Sequence, residues 1–354
     1  MKAISVDKLQ PGMELARTVV NDDMVVILSE NTLLTKAHIT RLGFLNIPSV
    51  YIKDEYELSP NYQSVMSLFN RGNAFASEYK EVLRKVNSII EATTQTGKIP
   101  VDKSKNLVHS SLAPMSKQSG VIDYLYELNH MADDLYNHSM RVAILTGVIG
   151  KWLYKKPSEI NDLILAGFLH DIGKTKFPDR LQSRRVETLK GEDFERYMQH
   201  TIDGSHLINE DPKLADGIKL AALQHHEYMD GSGFPFGTKG EEIHEYARII
   251  AIADLYDNIT TEREGFVRQT PFDAIAKITE DMYSKLDPTI SVTILKRIKD
   301  AFLGSKVMLS NGLEGTIVNY PNDFAQPPLV RIDQENVVDL NQHKDIKIIE
   351  YNQK

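Results

Sequence analysis

The doublet His170-Asp171 closes an apolar run with helical spacing (Ile160, Leu163, Ile164, Gly167), and it constrains the fold more than any other stretch of the chain. A carboxylate does not enter an apolar interior alone, because its desolvation outweighs any packing gain. Partners must therefore arrive from other segments. A neutral imidazole nitrogen and an Asp oxygen can share one divalent ion, and the second carboxylate oxygen stays free to bridge to another. Lys174, one helical turn on, is spaced to meet a phosphate oxygen held by those ions. Taken alone, the doublet reads as a capped helix end. What decides is how many other histidines and carboxylates fall into register with it.

The 354-residue chain contains no cysteine, which removes disulfides and thiolate sites and leaves any metal to His and carboxylate ligands. That suits a reducing compartment. An apolar content of 42% can bury a substantial core, and the length allows two or three domains. Forty-nine acidic against 41 basic residues give a formal charge of -8, which disfavours a nucleic acid polymer as partner but leaves room for a local phosphate pocket. The opening MKAISVDKLQPGMEL lacks the apolar run of a signal peptide, and no stretch approaches the ~18 apolar residues of a membrane span. A cytoplasmic protein without a span is expected.

Residues 1–58 mix short β-branched runs (Arg17–Val20, Met24–Ser29, Ser49–Lys53) with one helical pattern, Thr35–Leu45, predicting a small α+β module with a docking, dimerisation or regulatory role. Residues 59–104 read as a helical linker, in which Val65, Leu68, Phe69, Phe75, Val82, Val86, Ile89 and Ile90 recur mostly at three- or four-residue spacing up to the Gly97–Pro100 break. Such a helix suits a connector or a homodimer. Residues 105–303 are patterned as helices. Residues 304–354 change period to short strands (Lys306–Ser310, Leu313–Asn319, Leu329–Ile332, Ile346–Ile349) with an Asn311-Gly312 turn, predicting a small β domain. The expected class is mainly α, an all-helical domain between a small α+β module and a small β domain.

Within the helical segment, Val121–Leu153 reads as one long helix on which Asp134 and His138 share a face that Val142 and Leu145 continue. A histidine on an apolar face is commonly a packed core residue, but a carboxylate beside it needs a partner. The next helix, opened by Pro157-Ser158, ends at His170, so two helices can present His138 and His170 to one another. A helix from about Gly191 carries His200, and His206 lies off that face. Lys213–Tyr228 puts Ile218, Ala221, Ala222 and His225 on one face with His226 beside it. Adjacent histidines can hold one metal from two sides, or turn one inward and one toward substrate. Gly-rich Met229–Tyr246 follows as a loop suited to shaping a pocket. Ala247–Thr261 then carries Asp254 and Asp257 at i, i+3, costly to bury unless metal or Arg pairs with them. Arg263, just beyond, is close enough to help with phosphate.

His138, His170-Asp171-x-x-Lys174, His200, His225-His226-Glu227, Asp230-Gly231-x-Gly233-Phe234-Pro235 and Ala253-Asp254-x-x-Asp257 together resemble the HD-GYP branch of the HD phosphohydrolase superfamily over about residues 105–303. Five of the eleven histidines fall in order on motif positions, which a chance His-Asp pair does not explain. The resemblance implies an all-helical domain that holds two or three divalent ions, iron or manganese, and hydrolyses cyclic di-GMP to pGpG or GMP. It implies His138, His170, Asp171, His200, His225, His226 and Asp254 as metal ligands, with Asp171 bridging. Asp134 occupies the place where three-metal members carry a glutamate one methylene longer, which leaves the count at two or three. Asp171 and Lys174 would be catalytic, and Lys174 and Arg263 would meet the scissile phosphate. Gly233, Phe234 and Pro235 would border the substrate pocket and offer a surface to a signalling partner such as a diguanylate cyclase. Three positions depart from the pattern. Phe234 keeps the ring of the family tyrosine without its hydroxyl. Glu264-Gly265-Phe266 replaces the aromatic and second basic residue that usually follow Arg263, with Arg268 as a substitute base. Asn258 stands where a small residue is common.

Two cations a few ångströms apart lower the pKa of a shared water and stabilise both the attacking and leaving oxygens of an in-line displacement at phosphorus, so no nucleophilic side chain is needed. Lys174 and Arg263 would offset charge on the non-bridging oxygens. Two alternatives stay open: the same centre acting on another cyclic dinucleotide, and a metal-bearing receptor that binds cyclic di-GMP without turning it over.

Overall fold

Two large apolar cores organise the described residues, with a smaller cluster of Phe177, Leu181, Leu189 and Tyr197 apart from both. The computed structural model describes residues 2–10, 13–20, 26–29, 32, 34–45, 47–52, 61–128, 134–177, 181, 188–262, 266–321, 326–333 and 336–352. In the N-terminal segment β1 (Lys2–Ser5) pairs antiparallel with β4 (Ser49–Ile52), and β2 (Val19–Val20) pairs with β3 (Val26–Leu28). The helix α1 (Lys36–Phe44) is opened by Thr35, whose side chain accepts from the His38 backbone N–H. Leu15, Leu28, Leu34, Leu42, Val50 and Ile52 close this first core.

The second core runs through all that follows. Helix α2 (Asn61–Thr96) buries Phe75, Val82, Val86, Ile89 and Ile90 of the expected stripe, and Tyr79 with them, while the side chains of Val65, Leu68 and Phe69 lie outside the described residues. The chain continues through α3 (Val101–Leu107), a π turn, α4 (Ala113–Ser116), α5 (Val121–Leu128), α6 (Leu135–Trp152) and α7 (Pro157–Leu169). A 3-10 turn (Ile172–Lys176) leads to α8 (Glu192–Asn209), α9 (Asp216–Gln224), α10 (Glu245–Thr260), α11 (Pro271–Asp281) and α12 (Pro288–Phe302). Proline at the first turn of α7, α11 and α12 sets their starts. The C-terminal strands β5 (Lys306–Leu309), β6 (Glu314–Asn319), β7 (Leu329–Arg331), β8 (Val337–Asp339) and β9 (Ile348–Asn352) form one antiparallel sheet in the order β8-β7-β6-β5-β9. Gly312, at φ 86°, makes the expected turn between β5 and β6. Val307, Leu309, Ile317, Val330 and Tyr351 carry this sheet into the same core as the helices. Among the described residues, no helix is long and apolar enough to cross a membrane.

One expected element is corrected. The single helix over Val121–Leu153 is two, α5 and α6, and Asp134 is the reason α6 begins where it does. Its backbone is extended (φ -127°, ψ 170°), and its Oδ1 accepts the Asn137 backbone N–H at 2.7 Å. This is an N-cap, and it removes Asp134 from the helix face that carries His138.

Two close approaches bring the histidine-bearing elements together. A Cβ on Gly167 would lie 2.6 Å from Thr146 Oγ1 and 3.1 Å from Ala143 Cα, so glycine lets the end of α7 settle onto α6. A Cβ on Gly173 would fall 2.0 Å from the His200 carbonyl oxygen and 2.7 Å from the Gly204 nitrogen. Here α8 meets the 3-10 turn backbone to backbone, which no side-chain rotation can relieve. Gly173→Ala should therefore cost at least the ~1–3 kcal/mol of an overpacked core. Urea unfolding of metal-free wild type and variant would read this, and an unchanged midpoint would contradict the close approach.

Candidate metal centre

His138 comes from α6, His170 from the C-cap of α7, His200 from α8 and His225 from the C-cap of α9, and none is more than 6% exposed. Their outer nitrogens are all committed. His170 Nδ1 donates to the Gly167 carbonyl at 2.7 Å, His225 Nδ1 to that of Ala222 at 3.0 Å, and His200 Nδ1 to that of Tyr197. A carbonyl oxygen only accepts, so each Nδ1 carries the hydrogen and each Nε2 keeps a lone pair. His138 Nδ1 donates instead to Asp257 Oδ2, at 2.8 Å.

The inner nitrogens then face one another, 3.2 Å apart for His138 and His170 and 3.3 Å for His200 and His225. Two lone pairs at that distance repel unless positive charge lies within reach of both. Burial pushes His170 down to about 3 and His200 down to about 4, so at neutral pH protonation of these two does not supply that charge. Burial also opposes charge on His138, but hydrogen bonds with Asp171, Asp254 and Asp257 overcome it and hold that imidazole well above its ordinary pKa. Positive charge is drawn to this point.

Asp171, 1% exposed, lies between the pairs. Its Oδ2 is 3.4 Å from His138 Nε2 and 3.5 Å from His170 Nε2, while its Oδ1 is 3.1 Å from His200 Nε2 and 3.6 Å from His225 Nε2. Oδ1 has no hydrogen-bond partner among the described residues, an arrangement that is costly for a buried carboxylate unless a cation engages it. Ligand atoms of Asp171, His200, His225 and His226 lie within 4.8 Å of one another, as do those of His138, His170 and Asp171. This buried set of imidazoles and carboxylate fits divalent metal. Burial would raise the Asp171 pKa, but Lys174, with Nζ 2.5 Å from Oδ2, and the adjacent imidazoles hold it well below the usual range.

The two aspartates of α10 divide their work. Asp254 Oδ1 is 3.1 Å from His138 Nε2 and accepts from Asn258 Nδ2 at 2.9 Å, which gives Asn258 the task of orienting that carboxylate. Asp257 turns to Arg141: Nε donates to Oδ1 at 2.6 Å and Nη2 to Oδ2 at 3.0 Å. Of the two partners the sequence allowed for a buried Asp257, metal or Arg, the structure gives it Arg. Arg141 went unnoticed in the sequence, although its place three residues after His138 on an apolar helix was the signal.

One wall of the centre is aromatic. His226 lies against Phe234 with ring centroids 4.6 Å apart, and the Tyr197 hydroxyl is 3.5 Å from His226 Nε2. Lys174 Nζ sits 5.0 Å from the Tyr197 ring centroid. Burial pushes Tyr197 up to about 12, so its hydroxyl stays protonated. Gly233 lets the loop fold back on His226, whose carbonyl oxygen a Cβ there would approach to 2.4 Å, and Pro235 follows through a cis peptide bond. Glu227, 3% exposed, anchors the loop by accepting the backbone N–H of Phe236 at 2.8 Å and of Thr238 at 3.1 Å. Tyr197 was also missed, and Glu227, quoted within the His225-His226-Glu227 motif, was given no role. Tyr197 stands one turn before His200, and Glu227 opens the Gly-rich loop.

Two expected site residues fall elsewhere. Asp134 Oδ1 is occupied by Asn137, through its backbone N–H at 2.7 Å and Nδ2 at 3.0 Å, and joins neither group of ligand atoms. Arg268 Nη1 donates to the Tyr126 carbonyl at 2.6 Å, and its guanidinium lies 4.2 Å over the Tyr126 ring rather than at the cluster. Arg263 lies outside the described residues.

Residues 125–290 match the family described as HD domain. The fold resembles that of an HDG"Y"P protein from Bdellovibrio bacteriovorus, with a TM-score of 0.53 at 16% identity, covering 84% of this chain and 99% of that one. The chain is 26% identical over 229 residues to a cyclic di-GMP phosphodiesterase of Pseudomonas aeruginosa, covering 65% of this chain and 55% of the relative. It is 32% identical over 184 residues to a cyclic di-GMP phosphodiesterase of Thermotoga maritima, covering 51% and 49%. It thus spans about half the length of these curated relatives.

Glu227→Ala should release the loop while leaving the histidines in place. The loss of its hydrogen bonds, worth roughly 1–3 kcal/mol locally, should speed protease cleavage within residues 229–240 with little change in metal content. Cleavage at the wild-type rate would remove Glu227 as the anchor.

Proposed function

We propose that this chain is a metal-dependent phosphodiesterase that hydrolyses cyclic di-GMP to pGpG, GMP or both. The observation that carries the reading is the pair of Asp171 oxygens, each turned toward a different pair of imidazole Nε2 atoms. His138, His170 and Asp254 would hold one divalent ion and His200, His225 and His226 a second, with Asp171 common to both and iron or manganese as the metal. The named activity of the relatives supports the substrate. On this reading residues 105–303 are the catalytic unit, residues 59–104 link it to an accessory module over residues 1–58, residues 304–354 form an accessory β domain, and the site is cytoplasmic. The Gly-rich loop, with Phe236 68% exposed, would face a protein partner.

Bound divalent ions supply Lewis acidity and an acidified water at neutral pH. The chain's own residues do the rest. The backbone carbonyls of Gly167, Tyr197 and Ala222 hold three imidazoles in the tautomer that keeps Nε2 unprotonated. Lys174 remains an ammonium beside Asp171, where it offsets charge gathering on the non-bridging phosphate oxygens. The protonated Tyr197 hydroxyl is a second donor on that side. Phe234 and His226 form a flat wall against which a base can stack.

The test is anaerobic purification with metal analysis, then cyclic di-GMP turnover on the same sample, for wild type, His170→Ala, Asp171→Ala and Lys174→Met. Wild type should hold two ions and turn over, and the first two variants should lose metal and activity together. Lys174→Met should keep its metal while kcat falls by ~10²–10³-fold, as for loss of one electrostatic donor. Full metal without turnover, tested also on a mixed cyclic dinucleotide, would reassign the chain as a receptor. A wild type that takes no metal would end the phosphodiesterase reading.

A further inference from the structure

We infer that the buried Arg141–Asp257 pair sets the metal affinity of one half of the centre only, acting through His138. This rests on the metal reading above. The four inward-facing imidazoles are not held alike. His170, His200 and His225 donate Nδ1–H to neutral backbone carbonyls, whereas His138 donates to an ionised carboxylate. A carboxylate in that position makes the opposite nitrogen a stronger electron donor and fixes the ring. His138 is thus the most basic of these four donors, and its neighbours at Nε2 are His170, Asp171 Oδ2 and Asp254 Oδ1, the members of one half of the site.

Arg141 determines what Asp257 can do. Its two hydrogen bonds, 2.6 Å to Oδ1 and 3.0 Å to Oδ2, set the plane of the carboxylate and turn Oδ2 toward His138 Nδ1. With Oδ1 committed to the guanidinium, Asp257 is kept from swinging inward as a ligand itself. Both residues are 1% exposed, so the pair is desolvated and its orientation is not shared with water. Asp257 is therefore a positioning residue, and Arg141 positions Asp257.

The experiment loads wild type, Asp257→Asn, His138→Ala and the double variant with Mn(II) and titrates each against a chelator. Retained metal and the electron paramagnetic resonance spectrum are followed together. Asn keeps the shape and its one carbonyl oxygen can still accept the Nδ1 hydrogen, so the change removes the charge and the hydrogen bond from Arg141 Nε while His138 keeps an acceptor. The expected result is that Asp257→Asn releases one ion ~10–100-fold more readily and holds the other as wild type does. The spin-coupled signal of the wild type should give way to that of an isolated ion. The double variant should be no worse than His138→Ala, because both changes act along one path. Arg141→Lys, which keeps the charge and loses the planar fork, should fall between wild type and Asp257→Asn. Unchanged retention in Asp257→Asn, equal loss of both ions, or additive losses in the double variant would each overturn the inference while leaving the metal reading standing. A wild type that takes up no Mn(II) would overturn both.

Discussion

The centre depends on the mutual repulsion of lone pairs. His170 and His225 at the ends of their helices and His200 within α8 all donate Nδ1–H, since a carbonyl one turn back lies within reach of each ring. With that hydrogen bond made, Nε2 has nothing to donate, and three such nitrogens are packed around Asp171 within a few ångströms. The fold has therefore concentrated acceptors where it removed water. Such an arrangement is stable only with cations among the acceptors, so metal affinity here is built from local backbone hydrogen bonds as much as from the ligands.

Glycine is what allows the acceptors to be brought so close. Gly167 and Gly173 stand on either side of the His170-Asp171 doublet, and at both a single methyl group would meet atoms of a neighbouring helix. The doublet is thus clamped between α6 and α8, with His138 reached across one contact and His200 across the other. Its backbone has little freedom to relax, which keeps the two Asp171 oxygens aimed at different histidine pairs.

Much of this was legible in the sequence. The helix ends at Pro157 and Gly191, the strand period after Gly304, and the ordered histidines were readable because each follows from local spacing. What was not readable depends on contacts between segments or on a competing local bond. Asp134 and His138 have the i, i+4 spacing of a shared face, and no periodicity reveals that Asp134 spends its carboxylate on Asn137 as a cap. Arg141 and Asp257 are 116 residues apart, and only the packing of α6 against α10 makes them a pair. Asn258 had no assignable purpose until Asp254 was seen to accept from it. The same limit applies to Arg268, a reasonable substitute base by position that the fold spends on Tyr126.

With the ions proposed for it, the centre would carry a charge opposite in sign to that of the chain. Overall the formal charge is -8. At the site, Asp171, Asp254 and Asp257 contribute three negative charges, against Arg141 and Lys174 with two positive, a local sum of minus one. Two divalent ions, as proposed, would carry that sum to plus three, since the buried His170 and His200 add nothing at neutral pH. A cyclic dinucleotide brings two phosphodiester charges, so substrate entry would leave the pocket close to neutral, and low-dielectric surroundings reward that balance. The Arg141 charge fits this arithmetic as closely as its geometry fits Asp257: it cancels the one carboxylate that is kept away from the metals.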